Sequence, residues 1–459
     1  MKKFFFAGFV LAAAWAALAQ IHIGDIVGGE PPTLALPDLR GSGDAQAFMR
    51  AFNETLWADV SGASVFKMVP KSLYPSFTPQ QLTDFVQPPP TPAAPVRRGQ
   101  QITQAATGGG RWLSDWSRPP ASAKYLAAGY TGITNGVLVL QGWVVDVTRE
   151  SAATGKLLEK RYLGSVDEAG ARKIAHEFAA DIVALLGGQS LFGTHIYFVS
   201  DRSGHQEIWV MDADGKNQRP ITHYNSDAIQ PAISADGSRI AFTSFHRINP
   251  AIVVFSVDPV RDLRFYNQTA SVNSSPSFTP DGKILYSSSS GGCCRIFIAN
   301  ADGTGFRPLT SSSHWIDTEP KANPKTGSQV LFVSGRSGPQ QIYSMNISGA
   351  DIERVTDGTG EASNPSWHPN GQFMAFSWTR GFAAGAWNVF VMNLATHRYN
   401  QLTHGEGKNE NPDWAPDGKH IVFGRKVGRQ SQIYSMLADG TDVRQLTTAG
   451  SNNRPVWGK

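Results

Sequence analysis

The strongest constraint on this chain is a repeat of about 45 residues that occupies its C-terminal three-fifths. From His195 onward one pattern recurs: Pro-x-apolar, a turn ending in Gly, an apolar strand, a polar turn, a second apolar strand, and a third strand ending near Leu-Thr. The turn glycines are Gly237, Gly282, Gly327, Gly371 and Gly418, at successive gaps of 45, 45, 44 and 47 residues. Asp-Gly and Asn-Gly before them supply the positive φ that tight hairpins need. The strands that follow the turns (Arg239 to Thr243, Ile284 to Tyr286, Val330 to Val333, Phe373 to Phe376, Ile421 to Phe423) are short and rich in β-formers. Second strands number six, at Glu207 to Met211, Ile252 to Val257, Arg295 to Ala299, Gln341 to Met345, Val389 to Met392 and Gln432 to Met436.

Three strands plus the Pro-x-apolar strand make a four-stranded unit, and a period of this length is that of a propeller blade. The first unit lacks its own Pro-x-apolar strand, and Pro455-Val456-Trp457 at the far end of the chain supply one. The expectation is an all-β six-bladed propeller, residues 189–459, closed by a C-terminal strand that completes blade one.

Residues 20–188 read as a separate α/β domain. Strands are expected at Thr33 to Leu39 and Ser64 to Val69, a helix at Asp44 to Ala58, and a strand pair at Val137 to Val147 and Leu157 to Leu163. The clearest element is a helix from Glu168 to Leu186, with Asp167 as N-cap and Gly187-Gly188 as its stop. Its Ala171, Ile174, Ala175, Phe178, Ile182, Val183 and Leu186 fall on one face at helical spacing. His176 lies at the edge of that face with no acid or nucleophile placed by sequence to partner it. A Pro- and Gly-rich stretch, Gln87 to Gly110, cannot pack a core and reads as an extended insertion.

The first nineteen residues read as a secretory signal: Lys2 and Lys3, an apolar run from Phe4 to Leu18, and Ala17-Leu18-Ala19 as a cleavage site leaving Gln20 first. The net charge of +4 is too small and too evenly spread to argue for nucleic acid. The two cysteines, Cys293 and Cys294, are adjacent. Their Cα atoms stand about 3.8 Å apart, too close for an unstrained disulfide. They read as a thiol pair at the start of a strand.

Catalytic constellations are missing from the sequence. There is no Gly-x-Ser-x-Gly elbow and no His-x-x-x-His pair. Asp212-Ala213-Asp214-Gly215 opens like a calcium loop but lacks the downstream Glu, so it reads as a hairpin turn. Neither a cofactor nor a metal is expected, and the chain reads as a binding protein and not an enzyme. The competing readings are a secreted binder of carbohydrate or peptide, and a lyase or hydrolase at the channel mouth.

Several segments resemble the TolB family. Val199-Ser200-Asp201-Arg202-Ser203-Gly204, Glu207-Ile208-Trp209-Val210-Met211-Asp212 and Gln432-Ile433-Tyr434-Ser435-Met436 look like its repeat. Arg172 to Ile182, Leu186-Gly187-Gly188 and Phe192 to Ser200 resemble the segment joining its two domains, and Tyr125 to Tyr130 looks like one of its strands. The resemblance implies a monomeric periplasmic scaffold of the Tol-Pal system, serving outer-membrane integrity, cell division and protein transport. It implies binding of the peptidoglycan-associated lipoprotein, Pal, at one mouth of the propeller, and of TolA through the mature N-terminus.

The loops leading into each innermost strand, just before its Pro, would then ring the channel entrance. They carry Gln230, Ser275, Glu319, Asn364, Asn411 and Arg454, with Asp317, Thr318, Asn409, Glu410 and Asn453 beside them. Such a polar, mixed-charge ring suits a wet protein interface. Trp367, Trp414 and Trp457 recur at one position of the innermost strands and are expected to pack between blades.

Overall fold

The computed structural model describes residues 31–89, 107–267, 271–292, 294–311 and 314–459. The signal sequence, most of the insertion and Cys293 lie outside the described residues. Two compact units divide the chain, one ending at Phe192 and the other running from Gly193 to Lys459.

The first unit is built on one mixed sheet, in the order Lys67–Met68, Thr33–Ala35, Tyr125–Thr134, Val137–Asp146, Lys156–Gly164. Helices Met49–Gly62 and Glu168–Ala184 bury their apolar faces on one side of it, through Phe52, Leu56, Val60, Ile174, Phe178 and Ile182. The other side is covered by Leu113, Trp116, Val145 and Trp143. Gly142 lets the helix Glu168–Ala184 lie close on its side, since a Cβ there would meet the Phe178 ring at 2.9 Å. The long helix starts as expected: the Asp167 carboxylate accepts from Gly170 N at 2.6 Å, and that bond holds its carboxyl below the ordinary range.

Some elements differ from the sequence reading. The strands expected at Thr33 to Leu39 and Ser64 to Val69 shrink to Thr33–Ala35 and Lys67–Met68, parallel pairs only two or three residues long. The helix expected from Asp44 begins as a 3-10 turn, Gly43–Phe48, and becomes α-helical at Met49. His176 does have an acid: Asp59 Oδ2 lies 2.5 Å from its Nδ1, and the ring stacks on Phe192 at 4.6 Å.

The second unit contains, among the described residues, six four-stranded antiparallel sheets. Blade one is Asn452–Gly458, His195–Ser200, Glu207–Asp212 and Arg219–Pro220, so the C-terminal strand completes it as expected. Blades two to six begin at Ala228–Ile233, Asn273–Phe278, Asp317–Ala322, Ala362–Trp367 and Lys408–Trp414.

The recurrent Leu-Thr has a physical cause. The buried hydroxyls of Thr222, Thr310, Thr356, Thr403 and Thr447 each accept the N–H that opens the third strand of their own blade. The donors are Ile208, Ile296, Ile342, Val389 and Ile433, at 2.9–3.1 Å. Four of these hydroxyls also donate, to Glu207, Gln341, Asn388 and Gln432. A single threonine thus ties the short outer strand to its neighbour while giving a buried backbone N–H its acceptor. In blade two, among the described residues, Asn267 Oδ1 takes this place and accepts from Ile252 N at 2.8 Å.

Trp367, Trp414 and Trp457 are buried. Trp367 Nε1 donates to Lys321 O of the preceding blade at 2.9 Å, and Trp414 stands edge-on to His368 at 4.5 Å.

Candidate functional site

The innermost strand of each blade is the blade's inner edge, and each carries a proline in its middle. Proline cannot donate to the ladder, so it is tolerated only at an edge or a bulge. All six strands solve this the same way. Pairing with the second strand shifts register between Ile229 and Ala232, Ser274 and Ser277, Thr318 and Lys321, Ser363 and Ser366, Glu410 and Asp413, and Asn453 and Val456. The residue just before the proline takes a left-handed conformation in every case. These are Gln230 (φ 57°), Ser275 (53°), Glu319 (52°), Asn364 (53°), Asn411 (56°) and Arg454 (50°).

These six residues, with the prolines that follow them, line one cavity of ≈ 70 Å³ at the channel mouth. They sit inside the strands, at the bulges, and not in the loops before them as the sequence reading had it. A bulge re-aims the side chain it displaces. A non-glycine residue held at φ > 0 costs on the order of 1–3 kcal/mol, and such strain concentrates at functional sites. Six polar side chains are held at that cost on one ring.

The ring is stitched from blade to blade. Gln230 Oε1 accepts from Ser275 N at 3.0 Å, and Gln230 Nε2 donates to Ser275 Oγ at 2.8 Å. Glu319 Oε2 accepts from Asn364 N at 2.7 Å and from Ser363 Oγ at 3.1 Å. Ser377 Oγ accepts from Asn411 N at 3.1 Å while donating to Asn364 Oδ1 at 3.0 Å. The side chain of one blade therefore satisfies the N–H that the bulge of the next leaves unpaired.

The flanking candidates divide. Thr318 joins the network, with its hydroxyl 3.3 Å from Ser275 Oγ and 3.2 Å from Ser287 Oγ. Asp317 and Asn409 do not face the mouth. Both are fully buried, Asp317 paired with Arg336 and Asn409 accepting from Arg425 Nε at 2.8 Å. Asn453 is half-buried beside Gly424. Glu410 is half-buried, and burial is the largest influence on it, lifting its carboxyl above the ordinary range. Lys408, Arg454 and Lys426 pull the other way, and Glu319 adds to the rise.

Two residues of the cavity wall escaped the sequence reading. Lys321 and Asp413 lie two positions past the ring residues of their strands. Asp413 accepts from Ser366 Oγ at 2.6 Å and Trp457 N at 2.8 Å. Burial raises its carboxyl above the usual range despite the Lys321 ammonium. Their signal was present in the period of two that strands impose, which puts every second residue on the channel side. Among the described residues, no three His, Cys, Asp or Glu side chains gather as a metal ion would need.

Residues 183–382 and 355–459 match the TolB beta propeller domain family. The Chlorobium luteolum protein named "Protein TolB homolog" is 35% identical over 199 residues, 43% of this chain and 44% of that one. The Bordetella pertussis "Tol-Pal system protein TolB" is 30% identical over 181 residues, 39% of this chain and 41% of that one. The match spans less than half the length of these curated relatives. The crystal structure of TolB from Acinetobacter baumannii superposes with a TM-score of 0.70 at 20% identity, covering 94% of this chain and 97% of that one. That likeness is one of fold, and it includes the α/β unit as well as the propeller. With the family match running through all six blades and the fold shared along nearly its whole length, the chain belongs to the TolB beta-propeller family.

Proposed function

We propose that this chain is a periplasmic scaffold of the Tol-Pal system that docks a peptidoglycan-associated lipoprotein at the propeller's channel mouth. It works by binding and not by catalysis. The observation that carries the proposal is the ring of six left-handed polar residues at the mouth, in a member of a family whose curated relatives include a Tol-Pal system protein. Strained polar side chains pre-positioned around one concave opening favour a protein partner, because their ordering is completed before binding. Through that partner the chain serves outer-membrane integrity and cell division, with TolA as a second partner at the mature N-terminus. Among the described residues no helix is long and apolar enough to cross a membrane.

A pull-down of the processed chain against the host's envelope proteins tests this. Recovery of a peptidoglycan-binding lipoprotein, lost on joint charge reversal at Glu319 and Arg454 in a folded variant, is the expected result. Retention of the lipoprotein by that variant removes the channel mouth as its site, and failure to recover any such lipoprotein removes the scaffold role.

A further inference from the structure

The charge around the mouth is not evenly spread. On the blade-two and blade-three side the ring is neutral, Gln230 and Ser275 being bonded to each other. On the blade-six side the cations gather. Lys408 and Lys426 are direct cross-strand partners, both exposed, and Arg454 comes in from the neighbouring blade. That blade packs close by: a Cβ at Gly424 would lie in ordinary contact with Glu410 O at 3.5 Å and Asn453 Cα at 3.9 Å. Nearby, Arg425 is matched by Glu406 at 3.6 Å. Lys408, Lys426 and Arg454 all act on the half-buried Glu410, and none of their side chains forms a hydrogen bond or ion pair among the described residues. Three positive charges therefore surround Glu410 at the edge of a cavity, with Glu319 acting on the same carboxylate from blade four.

Like charges directly opposite on neighbouring strands destabilise a sheet. Lys408 opposite Lys426 is such a pair, in a strand that otherwise follows the blade pattern. Both lysines are exposed, and no hydrogen bond or ion pair inside the described residues offsets their repulsion, whereas an anion arriving between them would.

We infer that Lys408, Lys426 and Arg454 form an anion-receiving subsite, and that the polypeptide segment docking at the mouth places at least two carboxylates against it. This rests on the reading of the mouth as a protein-docking site and gives that site a direction: the acidic end of the partner lies over blades six and one. The two exposed lysines steer the encounter, and Arg454, on the ring itself, makes the contact that persists.

The test uses the full processed chain with two probes: the host's peptidoglycan-associated lipoprotein without its lipid, and a ten-residue Asp/Glu peptide beside its Asn/Gln counterpart. Lys426→Glu, the pair Lys408→Glu/Lys426→Glu, and Arg261→Glu as a remote exposed control are titrated at low and moderate salt. The expected result is a loss of affinity of about tenfold or more in the double variant, with a shallower salt dependence and no change in the control. Lys426→Glu converts a like-charge pair into an opposite one, so its thermal midpoint should be unchanged or raised while binding falls. A loss of binding that tracks a loss of stability would mean that these lysines are merely structural. Unchanged affinity for the lipoprotein in the folded double variant overturns the subsite and leaves the docking proposal standing. If the lipoprotein does not bind at all, the docking proposal fails and the peptides decide: selective binding of the acidic one, abolished by the double variant, upholds the subsite. Equal binding of the two peptides, or none, overturns it.

Discussion

Arg336 places Nη2 3.0 Å and 3.2 Å from the two carboxylate oxygens of Asp317, a side chain with no solvent exposure. The same guanidinium lies over Tyr343 at 4.8 Å and Phe332 at 5.2 Å, and its Nε donates to Ser334 Oγ at 2.8 Å. Arg425 repeats the arrangement over Tyr434 and Phe423 with Asn409 as its acceptor, and Arg202 repeats it over Trp209 with Asn452. Removing one member of a buried pair leaves the other charged, desolvated and alone, at a cost of about 3–5 kcal/mol. Asp317→Ala should lose that much stability in chemical denaturation, and Asp317→Asn clearly less, since the amide oxygen still accepts. A loss below about 1 kcal/mol for Asp317→Ala would show that the pair is solvated.

The blade threonines offer a second measurement. In Thr447→Val the volume is kept, but Ile433 N loses its acceptor and Gln432 Oε1 one of its donors. Leaving a buried donor unpaired costs about 1–3 kcal/mol. Denaturation midpoints of Thr447→Val and Thr447→Ser separate the two contributions, and the serine variant should recover most of the loss.

The left-handed ring can be tested without touching its charge. Asn411 has φ 56°, and no side-chain bond anchors it among the described residues. Asn411→Gly should keep or raise stability, by up to about 1 kcal/mol, because glycine adopts this conformation without penalty. Asn411→Val should lower it by about 1–2 kcal/mol, since a β-branched side chain resists positive φ. Equal stability for the two would mean that the bulge relaxes and the strain is not held.

Glu410 gives a prediction with a definite sign. Its carboxyl is raised, chiefly by burial, so the folded protein holds the proton more tightly than the unfolded chain does. Ionised Glu410 therefore weakens the fold at neutral pH. That penalty disappears as pH falls through the raised value, and no further gain follows below the unfolded value of about 4.3. Glu410→Gln should be more stable than the parent at pH 7, and the difference should vanish near about pH 4. Thermal melts across that window check it, and a difference independent of pH would point to packing instead. By removing a carboxylate set among three cations, the same variant should also tighten the docking of an acidic partner.

The blades were legible because each carries its own punctuation. A glycine turn, a β-rich strand and a Leu-Thr recur at a spacing that survives substitution in between, and the one unit without an inner strand points to where that strand must come from. The ring residues were legible through their prolines, which mark the same place in every blade. Their conformation was not, because a bulge is a property of two paired strands and not of either alone. The burial of Asp317 and Asn409 was hidden for a similar reason: each is decided by an arginine, Arg336 in the turn just past the second strand of its blade and Arg425 on that strand, and one strand position earlier or later exchanges wall for channel. Lys408 facing Lys426 depends on hairpin register, and Asp59 reaching His176 joins two helices 117 residues apart. Contacts of that kind leave no local pattern to read.

Blade one is assembled from segments far apart in the chain, with Ser451 N bonded across the join to Asp201 Oδ1, 250 positions away. A chain made from its N-terminus delivers His195–Ser200 well before Asn452–Gly458. Throughout that interval the first blade lacks its inner strand, and its open edge can pair with any unsatisfied strand it meets. Ring closure is thus a timed event, and until the last strand arrives that edge stays open to mispairing.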